Sequence, residues 1–199
     1  MTRMLAMDRR DVLKLGGAAS LALLAPAAVA VVDRASALTP PTIIVADPRY
    51  RESLVFAANF EQHGARVLTL ASDRAASWFG SIAPQLPNGL NRLAGLTLES
   101  DLFILERLAE SSGAQTCYVG RHDWRCRQSA GHTLSGRIDL DPLAAALVNA
   151  DEEWAVSLGE ALLAAKDGRR EEQKIQLECA LPAGRGPRSF VSWLMRWTV

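Results

Sequence analysis

A single α/β domain built as a three-layer sandwich around a mixed sheet is the fold class this chain predicts. Two observations carry it. Between Thr42 and Val119, apolar β-branched runs alternate with amphipathic helical stretches over short connections. That pattern implies parallel strands joined by right-handed crossovers, a doubly wound first half. The last 25 residues instead hold two alternating apolar/polar runs around a Pro/Gly-rich loop, which implies a C-terminal antiparallel hairpin. Residues 38–199 are enough to bury one core, so one domain is expected rather than two.

The elements follow in order. Thr42-Ile43-Ile44-Val45-Ala46 is a continuous apolar run after Pro40-Pro41, as expected of a strand buried on both faces. Asp47-Pro48 breaks it. A helix follows from Arg51 to His63 with Leu54, Ala57, Ala58 and Glu61 on one line, and Gly64 is placed to end it. Val67 to Leu70 is the second strand. A shorter helix after Ser72-Asp73 runs toward Phe79 and Ile82, and Pro84 and the Pro87-Asn88-Gly89 turn stop it. Leu93 to Leu96 is the third strand. Thr97 is suited to cap the next helix, whose first turn carries Glu99 and Asp101 at the positive end of the helix dipole. Leu102, Leu105, Leu108 and Ala109 form its buried stripe, and Gly113 ends it.

Thr116-Cys117-Tyr118-Val119 is the fourth strand, after which the pattern changes. Leu134, Ile138 and Leu140 alternate with Ser135, Arg137 and Asp139, a strand wet on one face. Asp141-Pro142 starts a helix, with Asp as cap and Pro in the first turn. Helical spacing from Leu143 through Trp154 to Ala165 predicts one long helix or two nearly collinear ones, ended by Gly168. Ile175, Leu177, Cys179 and Leu181, then Val191, Trp193, Met195, Trp197 and Val199, form the two strands expected to pair across residues 182–187.

The N-terminus reads separately. Arg3, Arg9, Arg10 and Lys14 precede an apolar, small-residue-rich run from Leu15 to Ala30, short for a membrane span, and Ala35-Ser36-Ala37 offers small side chains for cleavage. Asp8-Arg9-Arg10-Asp11-Val12-Leu13-Lys14 resembles the twin-arginine signal pattern at Arg9, Arg10, Leu13 and Lys14, and departs from it at Asp8 and Val12. The resemblance covers residues 8–37. It implies cleavage near Leu38, recognition by the twin-arginine translocase, export of an already folded chain, and a periplasmic location with no stable membrane span in the mature protein.

Without residues 1–37 the chain keeps 17 basic and 19 acidic side chains, a net charge near −2. No basic excess remains to hold a polyanion, which argues against nucleic acid as partner. The dinucleotide fingerprint, the phosphate-binding loop, the G-x-S-x-G elbow and the C-x-x-C-H haem motif are all missing, so no bound cofactor is expected. The acid after the first strand resembles that of receiver-type, flavodoxin-like domains. The second adjacent acid and the late lysine of that family are missing, so the likeness implies shared architecture alone.

In open α/β sheets ligands bind outside the carboxyl ends of the parallel strands. Those ends supply Asp47 and Arg49, Ser72 and Asp73, Thr97 and Glu99, and Arg121 with His122, the expected ligand-binding rim. Asp47, Ser72 and Thr97 equally suit plain helix capping. His122 is the best general acid/base candidate, with Asp123 or Asp47 to orient it. Cys117, His122, Cys126 and His132 cluster in sequence, but their spacing fits no common zinc pattern, so no metal site is assigned. A buried free Cys117, or a disulfide from Cys126 to Cys117 or Cys179, is the plainer reading.

Two functions follow from different classes. One is an exported accessory or small-ligand-binding protein, including the signal-bearing small subunit of a cofactor-containing redox complex; Trp193 and Trp197 would suit its interface, although a Trp-rich core edge is the plainer reading of that pair. The other is a small periplasmic enzyme using His122 with Asp47 or Asp73 on a small polar or anionic substrate held by Arg49 and Arg121.

Overall fold

The computed structural model describes residues 42–126, 129–150, 153–165, 171–180 and 188–197. The stretch expected to be an export signal, the expected Gly168 stop and the loop at 182–187 lie outside the described residues. Seven strands form one mixed sheet: β1 (Thr42–Ala46), β2 (Arg66–Thr69), β3 (Arg92–Thr97), β4 (Ala114–Cys126), β5 (Ser129–Gly136), β6 (Gln173–Ala180) and β7 (Arg188–Trp197). Their order is β2-β1-β3-β7-β4-β5-β6. β1 is parallel to β2 and β3, and every other neighbouring pair is antiparallel.

Helices cover both faces. On one, α1 (Arg51–Gln62), α4 (Asp141–Asn149) and α5 (Trp154–Ala164) enclose the larger core, with Phe56, Phe60, Leu143, Leu147, Trp154 and Leu158 packed on Ile44, Leu96, Tyr118 and Leu194. On the other, α2 (Arg74–Ser77), a π-helical turn at Trp78–Ile82, a 3-10 segment at Ala83–Asn88 and α3 (Glu99–Glu110) enclose the smaller core around Val45, Leu93, Trp193 and Met195. The three-layer α/β sandwich is therefore as the chain predicts. None of the helices among the described residues is long and apolar enough to cross a membrane.

Local chemistry explains most boundaries. β1 is buried at every position, as a central strand covered on both faces must be. α1 and α3 end where Gly64 and Gly113 take positive φ near 87°, a conformation that side chains with a Cβ avoid. The buried side of α1 is Ser53, Phe56, Ala57 and Phe60 rather than the line through Leu54, which is 44% exposed. α3 is capped at Leu98, not Thr97, which still belongs to β3. In the same way α4 has Leu140 at its N-cap, with Asp141 and Pro142 already inside the first turn. The long C-terminal helical stretch is two helices, because Ala150 turns to extended backbone after Asn149.

Four strands depart from expectation in extent or in partner. β4 continues past Val119 to Cys126, since the polar run after Gly120 alternates faces and finds hydrogen-bond partners. β5 lies earlier than Leu134–Leu140; Ile138 and Leu140 are buried in the core, but beyond the strand. The expected C-terminal hairpin does not form. β6 pairs with β5, whereas β7 inserts between β3 and β4. The reason is visible in burial: Phe190 through Met195 are buried on both faces, which requires a central strand, whereas β6 is exposed at every second residue, as suits an edge.

One glycine is set by the β4–β5 pairing. Gly136 has φ 159°, and a Cβ there would sit 2.4 Å from the Cys117 carbonyl oxygen and 2.9 Å from the Tyr118 Cα. Both obstacles are backbone and cannot swing away. Gly136→Ala is expected to destabilise the fold by roughly 2 kcal/mol or more, read as a lower urea midpoint at unchanged m-value.

Candidate functional site

β1 leads into α1 on one face of the sheet, whereas β3 leads into α3 on the other, so their loops part at the carboxyl ends of these neighbouring strands. This is the topological switch point of an open α/β sheet, where such folds bind ligands. Four charged residues meet there. The Arg49 guanidinium donates from Nη2 to Asp47 Oδ2 at 2.7 Å and from Nε to Asp47 Oδ1 at 2.9 Å, and its backbone N–H donates to the same carboxylate at 3.1 Å. Arg49 Nη2 also reaches Asp101 Oδ2 at 3.3 Å, and Arg74 Nε donates to Asp101 Oδ1 at 2.7 Å. Arg74 donates further to the carbonyl of Ala71.

The carboxylates of this cluster are buried, and its outermost cation is not: Asp47 and Asp101 are almost fully covered, whereas the Arg49 side chain is 52% exposed. Burial pushes the Asp47 pKa up, but hydrogen bonds from Arg49 and the charges of Arg49 and Arg74 outweigh it and hold the carboxyl below its ordinary value. The same hydrogen bond to Asp47 raises the Arg49 pKa further, so the pair stays ionised. The loop is also tied to α1, since the Asp47 N–H donates to Ser53 Oγ at 2.8 Å.

The rim residues expected from the sequence divide into four groups. Asp47 and Arg49 form the centre of the cluster, joined by Asp101 and Arg74, which sequence reading had assigned to the helix dipole or not singled out. Glu99 and Arg121 make a separate exposed ion pair at 2.9 Å. Asp73 caps α2 by accepting from the Ala76 N–H, and Ser72 lies exposed beside it. Thr97 is fully buried; its hydroxyl accepts from Trp193 Nε1 at 3.0 Å and donates to the Leu98 carbonyl.

His122 is not on the rim. Alternation along β4 sends Arg121 to the α3 face and His122 to the opposite face, where it is 0% exposed beneath Trp154. Neither expected orienting acid reaches it: Asp47 is held by Arg49, and Asp123 accepts from Ser189 Oγ at 2.5 Å. Its partners are Ser192, which no sequence pattern singles out, and His132, which the sequence places beside it only as a possible zinc ligand. His122 Nε2 lies 2.8 Å from Ser192 Oγ, and Ser192 Oγ lies 2.9 Å from Tyr118 Oη. His122 Nδ1 lies 2.8 Å from His132 Nδ1, its cross-strand neighbour.

Because two ring nitrogens face each other, one must be protonated and the other bare. The chain Tyr118–Ser192–His122–His132 then runs in one of two directions, each hydroxyl passing the polarity on. Burial drives the His122 pKa well below its ordinary value, and the neighbouring His132 lowers it further. Burial also lowers His132, to about 4, partly offset by the Asp123 charge. Burial raises the Tyr118 phenol. All three side chains are therefore neutral at pH 7.

The cysteine expectations change as well. Cys117 and Cys179 are present as thiols. Cys117 and Cys126 stand nine residues apart on one strand, about 30 Å, and Cys126 and Cys179 sit on β4 and β6 with β5 between them, about 10 Å. Both separations exceed disulfide reach. Among the described residues no group of three or more ligating side chains could hold a metal ion.

A concavity of about 460 Å³ opens at the other end of the sheet, lined by Glu106, Glu110, Cys117, Ser135, Arg137 and Glu172 among others. It surrounds the amino-terminal half of β4 and so lies away from the switch point. Fold and site thus define a mixed α/β sandwich with an arginine–carboxylate cluster at its switch point and a sealed histidine pair behind the sheet. No family model, no curated protein and no solved structure matches the chain.

Proposed function

We propose that this chain is an exported periplasmic accessory or small-ligand-binding protein, with the switch point as its contact site. The observation that carries this reading is the Asp47–Arg49–Asp101–Arg74 cluster, in which the buried carboxylates hold a half-exposed guanidinium there. With Nε and Nη2 spent on Asp47 and Asp101, Nη1 is the donor left for a carboxylate or phosphate oxygen. The half-exposed Arg121 gives the same rim a second cation. The twin-arginine resemblance of residues 8–37 supports export in a folded state, and the role of signal-bearing small subunit in a redox complex is one form of this reading.

The enzyme reading has less support. A general base must reach its substrate, and His122 is covered by Trp154 and committed to Ser192 and His132.

Native mass spectrometry of the chain recovered from the periplasm tests the proposal, because cleavage, bound ligand and partner each change the mass. A cleaved chain carrying a small molecule or a larger subunit is the expected result; an uncleaved, unliganded monomer in the cytoplasm would overturn it. Within the ligand form, a panel of small carboxylates and phosphates should raise the Tm of the wild type, and Arg49→Ala should abolish that rise.

A further inference from the structure

We infer that β6 is a self-complementary edge through which two copies of this chain pair, joining two seven-stranded sheets into one. Among the described residues β6 pairs with β5 on one side and with no strand on the other. The opposite edge, β2, has four residues; β6 has eight. Long edges with unpaired N–H and C=O groups invite strand addition unless something prevents it.

The occupant follows from the order of residues. From Gln173 the strand reads Gln-Lys-Ile-Gln-Leu-Glu-Cys. Laid antiparallel to itself about Gln176, it places Lys174 opposite Glu178 twice and Ile175 opposite Leu177 twice. Lys174, Gln176 and Glu178 are exposed on one face, so the two ion pairs flank the central glutamines. Ile175 and Leu177 are half-buried on the other, packed against the larger core, so pairing extends that core across the two-fold axis. Directly opposed pairs of these kinds are the unit of sheet stabilisation.

Other registers lose this match. Centring on Ile175 sets Glu172 against Glu178, and centring on Lys174 or on Glu178 sets like charges face to face. A parallel arrangement in register puts Lys174 beside Lys174. The charges that would blunt the edge against a foreign strand therefore select a second copy in one register.

Sedimentation of the full chain, with and without charge substitutions, tests this. The wild type is expected as a dimer. Lys174→Glu or Glu178→Lys alone turns two attractive pairs into two repulsive ones and should weaken it roughly tenfold or more, and the double exchange K174E/E178K should restore it. Because both positions are exposed, the single variants should keep the wild-type Tm of the monomer. Gln176→Cys should form an intermolecular disulfide under mild oxidation, which the unsubstituted chain does not. A monomer at the highest concentration reached, a dimer indifferent to the charge variants, or no cross-link at position 176 would each overturn the inference.

Discussion

Acidification from pH 6.5 to about 4 is expected to destabilise the fold by roughly 3 kcal/mol through His132 alone, with His122 adding to the loss. The sign follows from which state binds protons first. In the unfolded chain both imidazoles titrate near 6.5; in the folded protein His132 waits until about 4 and His122 lies well below its ordinary value. Between those limits the unfolded state binds more protons, so stability falls as pH falls, and above pH 6.5 neither state is charged and nothing is gained. The Asp47 contribution falls in a different window, because its unfolded carboxyl titrates near 3.8 and its folded one lower still. Urea midpoints at pH 7, 5.5 and 4.5 read the effect. His132→Gln, which keeps a neutral polar group, should remove about half of the slope in that range, the rest being that of the still-buried His122. A stability constant down to pH 4.5 would show that the histidine pair is not buried and neutral.

Trp193→Ala is expected to cost about 3–5 kcal/mol and to lower Tm by roughly 10 °C. The ring is 0% exposed in the smaller core, stacked so closely on Gly95 that a Cβ there would meet it at 2.7 Å, and its Nε1–H is bonded to the buried Thr97 hydroxyl. Truncation therefore leaves a cavity and removes the partner of a buried polar group. Trp197→Ala should cost less than half as much, since that ring is only partly buried, stacked on Trp78 at 6.5 Å with Nε1 bonded to Ser112. Equal losses at the two positions, measured by thermal and urea unfolding, would contradict a central β7. The contrast also separates two tryptophans that alternation in the sequence puts together, on an interface or at a core edge.

Some of the rim was legible because its chemistry is local. Asp47 and Arg49 sit two residues apart at the end of an apolar run, so their place at a strand terminus follows from hydrophobic pattern and Pro48. Asp101 and Arg74 join them from α3 and α2, brought in by the sheet order and the crossovers. His122 shows the opposite failure. A polar stretch after Gly120 has the composition of a loop, and only the pairing of β4 with β5 and β7 turns it into a strand with one side sealed. The sequence distance from His122 to Ser192 is 70 residues, and no spacing rule connects them.

What the sequence by itself determined is the class of fold and the edges of most elements: β1 from its continuous apolar run, the ends of α1 and α3 from Gly64 and Gly113, and the α/β alternation that places loops at strand ends. These depend on interactions within a few residues, which composition records. What only the tertiary structure decided is which strands touch: β7 between β3 and β4, β6 at the edge, and two histidines face to face under a tryptophan. Those outcomes minimise exposed apolar surface and unsatisfied polar groups over the whole chain at once, and no single stretch of it contains that sum.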